Sequence, residues 1–339
     1  MRFEFCTLFD KNYLSRGLAL YQSLIEVSCP FRLWILCLDD ESFNLLTKMN
    51  LPFVRLIKLQ EIETENLKAI KNGRSIVEYY WTLTPFLPLF IITKYRLPKI
   101  AYLDADLFFY SNPQPIYQEM ANNSVLIIPH RFYQSKGISE RTAGEFNVGM
   151  LIFRNDAIGR KCLKWWGDRC LEWCFLKFED NKLGDQKYLE QFPRLFKKVH
   201  VLANEGAGVA PWNVGRYKIK KIRDQLFVNN TTLIFYHYQA FKFYFPKKFF
   251  PAIPSSHYII PSPYRQLLYK PYLQAIAEKY QRIWQFSPSW RFGFAPRPPL
   301  SKQLGQAIFV GYLEASALLG MAKQVFVGNK FELVAPTGE

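Results

Sequence analysis

The first 110 residues alternate between short, mostly apolar runs and longer stretches in which apolar residues recur at helical spacing. Short, mostly apolar runs are typical of buried strands, and the helical spacing is typical of amphipathic helices. The pattern predicts strands at Phe3–Phe9, Phe31–Leu38, Phe53–Leu59 and Lys99–Leu103, and helices at Asn12–Val27 and Pro85–Thr93. Short buried strands that alternate with helices indicate an α/β domain with a mostly parallel sheet. Ligands of such sheets bind at the carboxyl ends of strands, so residues that follow strands are the first candidates for chemistry.

The chain after residue 110 is less regular, and its composition changes after His237. Further apolar runs predict strands at Val125–Ile128, Val148–Phe153 and Leu233–Tyr236 and a Trp-rich helix at Ile158–Phe178. Beyond these, Phe241–Tyr264 is crowded with Phe, Tyr, Pro and Lys, and Ser287–Pro299 is rich in Pro and Arg. We expect residues 243–339 to form a C-terminal extension wrapped over the core rather than a free-standing domain.

Composition narrows the class of protein. Of 339 residues, 49% are apolar and 17% are aromatic, which excludes a disordered or collagen-like chain. Lys and Arg number 44 against 28 Asp and Glu, giving a formal net charge of +16. Such an excess favours polyanionic partners, namely phosphates, nucleic acid or an acidic membrane surface.

Targeting signals are not evident in the sequence. Met1–Asp10 has no basic segment followed by a long apolar segment, so we expect no signal peptide and a cytoplasmic protein. The six cysteines form no CxxC pair and fit small buried side chains in a reducing compartment, although Cys170 and Cys174 leave a metal pair open. Polar residues interrupt the best candidate membrane span, Leu304–Met321, so a buried or interfacial helix fits it better.

The sharpest local feature is Asp104-Ala105-Asp106, which follows the apolar run that ends at Leu103. In an extended chain, positions i and i+2 point to the same side, so both carboxylates would project together at a strand end. Two such charges cannot stay buried and unpaired, because desolvating charge is costly. Mg²⁺ or Mn²⁺ bridging to a diphosphate would resolve the conflict, since these cations prefer carboxylate oxygens. A solvated turn after a strand is the alternative.

His237 is a second candidate, because it directly follows the apolar run Leu233–Tyr236. An imidazole beside two carboxylates would make a ligand set for Mn²⁺. An ordinary hydrogen-bonded histidine is the alternative.

Two further polar clusters occur at predicted element boundaries. Glu145–Gly149 opens a strand with polar groups and a glycine, which allows close approach of the backbone to a ligand. Asp185 and Gln186 stand at a predicted helix start, where capping the helix is the alternative role of the aspartate.

Taken in order, these elements resemble a GT-A-fold glycosyltransferase, in particular glycosyltransferase family 8 and related bacterial nucleotide-diphospho-sugar transferases. The resemblance covers about Phe3 to Lys242. Its motifs are the nucleotide-binding start in Phe5–Gly17, the D-x-D motif in LDADLFF, the F-N-x-G strand in FNVGMLIFRND, the D-Q segment in GDQKYL and the H-x-x-G-x-x-K element in YHYQAFK. It implies a Rossmann-like, mostly parallel central sheet flanked by helices. Residues 1–242 would form the catalytic domain, with 1–110 as the nucleotide-binding half and 111–242 as the acceptor-side half.

The resemblance also implies roles for individual residues. Mn²⁺ or Mg²⁺ would bind to Asp104, Asp106 and His237. The reacting sugar would be lined by the catalytic residues Asp185 and Gln186. The nucleotide-sugar donor would be contacted by Thr7, Phe9, Arg16, Asp104, Asp106, Asn147, Gly149 and Lys242. Ala240 stands where the last element usually has glycine, and Lys242 comes earlier than the usual lysine, so Lys247 or Lys248 could bind the diphosphate instead.

On this resemblance the chain is a metal-dependent enzyme that moves a sugar from a nucleoside-diphosphate sugar, expected to be UDP-linked, to a glycan or lipid-linked acceptor. Retention of anomeric configuration is implied, with front-side attack supported by Asp185 or Gln186 as the working hypothesis. A sugar-nucleotidyltransferase is one alternative, but the N-terminus lacks its Gly-rich, Arg-Lys phosphate loop. A basic nucleic-acid-binding protein is the other, but it rests on charge alone, and without a visible motif we expect no nucleic-acid partner.

Aromatic and basic side chains interleave in Phe241–Phe250, and Pro288–Pro299 adds two arginines. Such side chains together suit a membrane interface, where rings lie at headgroup level and cations meet anionic lipid. We therefore expect peripheral contact with the inner face of the membrane, which would suit a lipid-linked acceptor. Packing of these aromatics on the catalytic core is the alternative.

Overall fold

The computed structural model describes residues 2–133, 136–244, 248–250, 260, 262–296, 323–327 and 330–334. The strands are β1 Phe3–Phe9, β2 Phe31–Cys37, β3 Val54–Lys58, β4 Lys99–Leu103, β5 Leu107–Phe109, β6 Val125–Pro129, β7 Phe146–Arg154, β8 Val199–Val201, β9 Ile219–Ile222, β10 Gln225–Val228, β11 Thr231–Thr232, β12 Phe235–His237, β13 Lys242–Tyr244, β14 Lys248–Phe250, β15 Lys323–Val327 and β16 Lys330–Val334. The α-helices are α1 Leu14–Glu26, α2 Asp40–Met49, α3 Glu65–Lys71, α4 Ile76–Leu83, α5 Phe86–Lys94, α6 Gln114–Met120, α7 Lys136–Ala143, α8 Ala157–Glu172, α9 Phe192–Leu195, α10 Ser262–Tyr264 and α11 Lys270–Phe286. Gln186–Gln191 is a 3₁₀ helix, and Arg265–Tyr269 is a π-helical turn ahead of α11.

A seven-stranded sheet forms the centre of the described part of the chain, in the order β3-β2-β1-β4-β7-β6-β8. Strands β3, β2, β1 and β4 are parallel, as are β6 and β8, whereas β7 runs antiparallel to both of its neighbours. The register pairs Phe9 with Cys37 and Cys37 with Lys58, so these strands end at one edge of the sheet. The predicted α/β fold with a mostly parallel sheet is confirmed.

Successive residues of the inner strands belong in turn to two separate hydrophobic cores, one on each face of the sheet. Phe5 on β1 and Leu33 on β2 belong to the core on one face, which α1 and α11 cover. Their neighbours Cys6 and Trp34 belong to the core on the other face, which α5 and α8 cover. Because successive strand residues point to opposite faces, a strand covered on both faces needs apolar residues at most positions. This explains why these runs in the sequence are mostly apolar instead of alternating with polar residues.

The Trp-rich helix predicted over Ile158–Phe178 ends earlier, at Glu172. Trp173 adopts an extended backbone with ψ 123°, which stops the helix. The chain then turns back, and the Gly184 N–H donates to the Phe175 C=O at 3.0 Å. The apolar spacing continues past residue 172 although only Cys174 of this loop is fully buried while Leu176 and Phe178 are exposed, so the pattern alone could not mark the helix end.

The segment after residue 260 packs on the same core as α1. Its buried side chains include Leu268, Tyr269, Tyr272, Ile276, Tyr280, Ile283 and Trp290. Phe241, Phe243 and Tyr244 are buried as well, so this part of the aromatic run packs on the core instead of facing outward. The helix predicted at Leu304–Met321 lies outside the described residues, and the domain boundary at residue 242 stays a prediction.

One stretch in the described part of the chain, Ile76–Lys94, is long and apolar enough to cross a membrane by length and composition. It comprises α4 and α5, and 50% of its most apolar window is buried inside the protein. Core helices of soluble proteins meet the same criterion, so this is weak evidence for a membrane span.

Candidate functional site

The D-x-D residues lie in a tight turn between β4 and β5. The Leu107 N–H donates to the Asp104 C=O at 3.2 Å, and the Asp104 N–H donates to the Gly149 C=O at 2.8 Å. The extended geometry expected for these residues is therefore wrong, because the chain turns here instead of continuing the strand. The two carboxylates nevertheless face one histidine, since the Asp106 C=O accepts from the Tyr238 N–H at 2.9 Å and so joins the turn to β12.

His237 ends β12, which pairs antiparallel with β5 and places this residue opposite Leu107. Its Nε2 lies 3.1 Å from Asp106 Oδ1 and 3.7 Å from Asp104 Oδ2. The potential ligand atoms of these three residues all lie within 4.8 Å of one another. Two carboxylate oxygens and one imidazole nitrogen are a donor set that could hold a divalent metal ion.

The charges of this triad depend on one another. Burial alone would raise the pKa of the Asp106 carboxyl, but the His237 imidazole and the Arg16 guanidinium outweigh it and lower that pKa. At Asp104 burial dominates and raises the pKa to about 6, opposed by His237 and assisted by Asp106. Burial would lower the pKa of His237, but the two carboxylates raise it above its ordinary value. A cation bound here would favour the ionised form of both carboxylates.

Asn147 and Gly149, on β7, lie behind the histidine. Asn147 Oδ1 accepts from the Gly149 N–H at 2.8 Å and lies 3.3 Å from His237 Nδ1. A proton on Nδ1 then leaves Nε2 as the atom that faces the carboxylates, which is how an outer hydrogen bond orients a metal-binding imidazole. A Cβ on Gly149 would lie 2.5 Å from Asn147 Oδ1 and 2.8 Å from His237 Nδ1, so only glycine fits.

Gln186 extends this network. Its Oε1 accepts from Asn147 Nδ2 at 3.1 Å, and its Nε2 donates to the Ala143 C=O at 2.9 Å. Both ends of the amide are thus engaged within the protein. His130, which sequence reasoning missed, lies on the other side of Asn147, with its Nε2 3.4 Å from Asn147 Nδ2.

Burial lowers the pKa of His130 to about 3, so this imidazole is neutral. Its Nδ1 lies 2.7 Å from the Gly144 C=O, and a donor there leaves Nε2 as an acceptor for Asn147. The signal that could have found it is its place directly after the apolar run that forms β6.

Asp185 differs from its neighbour Gln186. Its side chain is buried, and its Oδ2 has no hydrogen-bond partner among the described residues. It precedes the 3₁₀ helix without making a side-chain cap, so the capping alternative is not what the structure contains. Burial, assisted by the charge of Asp104, raises the pKa of this carboxyl to about 7.

The predicted donor-binding residues of the N-terminal segment are buried. Arg16 donates to the Asn12 C=O at 3.1 Å and to the Phe241 C=O at 2.9 Å. The Oγ1 of Thr7 is buried without a hydrogen-bond partner in the described part of the chain. The Phe9 ring packs against the backbone of α1 at Gly17.

Lys242 is exposed on β13, and the contacts that join the triad to Asn147 and Gln186 do not include it. Ala240, which replaces the usual glycine, has φ of +60°, a backbone conformation that favours glycine. The alanine therefore adopts at this position a conformation that a glycine would adopt with less strain.

Comparisons with known proteins identify the family of the chain. The model of glycosyl transferase family 8 matches residues 6–242, a range that includes all the site residues described above. The chain is 32% identical over 250 residues to the uncharacterized protein YfnF of Bacillus subtilis (strain 168), covering 71% of this chain and 82% of that protein. It is 29% identical over 299 residues to the uncharacterized protein YfnD of the same organism, covering 87% and 95%.

Among solved structures, the glycosyltransferase GlyE of Streptococcus pneumoniae TIGR4 superposes with a TM-score of 0.51 at 16% identity, covering 88% of this chain and 66% of that chain. This likeness shows the fold. The family match favours glycosyl transfer over nucleotidyl transfer and over nucleic-acid binding. Since the matched range exceeds half of the chain, the protein belongs to glycosyl transferase family 8 and is a nucleotide-sugar-dependent glycosyltransferase.

Proposed function

We propose that the enzyme is Mn²⁺- or Mg²⁺-dependent, uses a UDP-linked sugar and transfers it with retention to a glycan or lipid-linked acceptor. The observation that carries the proposal is the convergence of Asp104, Asp106 and His237, whose ligand atoms lie within 4.8 Å of one another. These residues would hold the cation, and a bound cation supplies positive charge that stabilises the departing diphosphate. A net charge of +16 supports a polyanionic donor.

We assign different roles to Asp185 and Gln186. Gln186 is hydrogen-bonded at both ends of its amide, so it orients Asn147 and the strand that carries it. The Oδ2 of Asp185 is buried and has no hydrogen-bond partner among the described residues. A buried acceptor of this kind needs a hydrogen-bond donor to offset the free energy lost on its desolvation. In the proposed reaction that oxygen accepts a hydrogen bond from the donor sugar and supports the reacting centre during front-side attack.

Arg16 would contribute positive charge next to Asp106 on the nucleotide side, together with Thr7 and Phe9 as walls of the donor site. Lys242 remains the proposed diphosphate-binding lysine, with Lys247 and Lys248 as alternatives whose side chains are not among those described. An exposed lysine suits this role, because it can approach the diphosphate after the donor has bound.

We also propose a cytoplasmic location with peripheral contact at the inner face of the membrane. The support is the basic and aromatic composition of the C-terminal extension. Full-length protein should sediment with anionic liposomes at low salt and should be released at high salt, because the attraction is screened. Protein that stays in the supernatant at low salt would refute membrane contact without bearing on catalysis.

The catalytic proposal is tested by release of nucleoside diphosphate from a panel of nucleotide sugars, each with Mn²⁺, with Mg²⁺ and with chelator. UDP-linked sugars should give metal-dependent release, and NMR of the transferred product should show the donor's anomeric configuration. Asp185→Asn should reduce release strongly, whereas Asp168→Asn, at an exposed position on α8, should not. Release that is equal with chelator, or an inverted product, would contradict the metal role or the stereochemistry respectively.

A further inference from the structure

Tyr272 lies on α11, beyond the range 6–242 that the family model matches. Its side chain is fully buried, and its ring stacks face to face on Tyr238 with centroids 3.7 Å apart and planes 8° apart. Phe108 and Phe241 also contact the Tyr272 ring, in edge-on geometry, at centroid distances of 5.7 and 5.0 Å. One side chain from the C-terminal segment therefore packs against three rings of the catalytic region.

The three residues that carry these rings are each connected, through the chain or a backbone hydrogen bond, to Asp106, His237 or the neighbouring Arg16. Tyr238 follows His237 in sequence, and its N–H donates to the Asp106 C=O at 2.9 Å. Phe108 is two residues after Asp106 on β5. The Arg16 guanidinium donates a hydrogen bond to the Phe241 C=O at 2.9 Å. A displacement of Tyr272 would therefore move residues that are close in sequence to Asp106 and residues that are close in sequence to His237.

The ribbon that brings Asp106 and His237 together needs such support. Strands β5 and β12 pair with each other outside the seven-stranded sheet, through three residue pairs that run from Phe109 with Phe235 to Leu107 with His237. A two-stranded ribbon of this length is at most marginally stable alone. Backbone hydrogen bonds from β12 to Gly206 and Val209 support one side of it, and side-chain packing must supply the rest. Tyr272 covers this ribbon from the side of α11.

We propose that Tyr272 is a positioning residue that holds the β5–β12 ribbon so that Asp106 and His237 stay at metal-binding separation. The inference rests on the metal centre of the proposed function. The ring carries the effect, because the Tyr272 hydroxyl has no hydrogen-bond partner among the described residues. Without the ring, the ribbon would sample arrangements in which the ligands are apart, and the apparent affinity for metal would fall with the fraction that remains assembled.

The test is Mn²⁺ affinity, measured by titration with electron paramagnetic resonance on folded, full-length protein, together with the midpoint of thermal unfolding. It needs neither substrate nor turnover. Tyr272→Leu should weaken Mn²⁺ binding by about tenfold, the lower end of what loss of an outer support costs a metal site. Tyr272→Phe should bind Mn²⁺ like the wild type, since the stacked ring is kept.

The matched control is Ile283→Ala on the same helix. Ile283 is buried and lies about 16 Å further along α11 at 1.5 Å per residue, so its loss should lower the unfolding midpoint and leave Mn²⁺ affinity unchanged. If Tyr272→Leu does not fold, Phe108→Leu removes a contact of the same ring from β5 and should weaken Mn²⁺ binding by a smaller factor.

Three results would overturn the inference: unchanged Mn²⁺ affinity in the leucine variant that folds, weakened affinity in Tyr272→Phe, or equal weakening in Ile283→Ala. A wild type that binds neither Mn²⁺ nor Mg²⁺ would overturn the proposed metal centre and this inference with it. A wild type that binds Mn²⁺ but no nucleotide sugar would overturn the proposed donor alone, and the variants would still decide the role of Tyr272.

Discussion

Two regions of the chain contribute to the site in different ways. Residues 6–242, which the family model matches, supply the triad, Asn147 and Asp185. Residues 262–296 supply buried aromatic and aliphatic side chains to the core that also contains the β5–β12 ribbon, and Tyr272 contacts the ribbon directly. On the proposed roles, the first region holds the reacting groups in short motifs at strand ends, whereas the second supports them through packing and has no motif. The difference teaches that reacting groups and the groups that hold them in place can be encoded far apart in the sequence.

The strongest way to break this comparison is to remove a charge from the first region without changing its shape. Asp106→Asn keeps the volume of the side chain but removes the carboxylate that lies 3.1 Å from His237 Nε2. We expect Mn²⁺ affinity to fall by at least about 100-fold, because loss of a ligand exceeds the cost of losing an outer partner. Calorimetric titration measures this, and near-normal Mn²⁺ binding would show that the chemistry does not reside in the D-x-D turn.

A smaller effect should follow from adding volume within the same region. In Gly149→Ala the new Cβ would lie 2.5 Å from Asn147 Oδ1 and 2.8 Å from His237 Nδ1, so the imidazole must move. Overpacking of this kind costs about 1–3 kcal/mol, and we expect a lower unfolding midpoint and roughly tenfold weaker Mn²⁺ binding.

The control for this glycine is Gly73→Ala, whose Cβ would meet its nearest neighbour, the Ile70 C=O, at an ordinary 3.6 Å. That variant should match the wild type in both measurements. If Gly149→Ala also matches the wild type, the side chains around His237 can accommodate the additional methyl group, and the close contacts at Gly149 do not constrain the metal site.

The smallest effect is a dependence on pH. The pKa of Asp104 is raised to about 6, chiefly by burial, so above pH 6 the group is a carboxylate and below it a proton competes with the metal. The pKa of His237 is raised as well, so a proton also competes with the metal at its imidazole in this range. Mn²⁺ affinity should therefore weaken between pH 6 and pH 5 by about fivefold more than the tenfold per pH unit that protonation of His237 alone can cause, whereas an Asp with an ordinary pKa near 3.9 would add almost nothing. Calorimetric titrations from pH 5 to pH 8 measure this, and a fall of no more than tenfold per pH unit would contradict the raised pKa of Asp104.

The sequence determined much of this protein because the relevant signals are local. Apolar runs gave the positions of β1, β2 and β4 to within a few residues, since strands buried on both faces are mostly apolar. They also marked β3, although this strand lies at the sheet edge and includes Arg55 and Lys58. The family motifs identified Asp104, Asp106, His237, Asp185 and Gln186 as candidates because each follows or opens an element.

Only the tertiary structure decided how those candidates meet. Alternation along an extended strand predicted that the two aspartates share a side, but a turn and the pairing of β5 with β12 bring them to His237. The neutral imidazole of His130 and the stacked ring of Tyr272 escaped sequence reasoning. Their places depend on contacts between residues distant in the chain, and a pattern of apolar and polar positions specifies burial without specifying which buried groups touch.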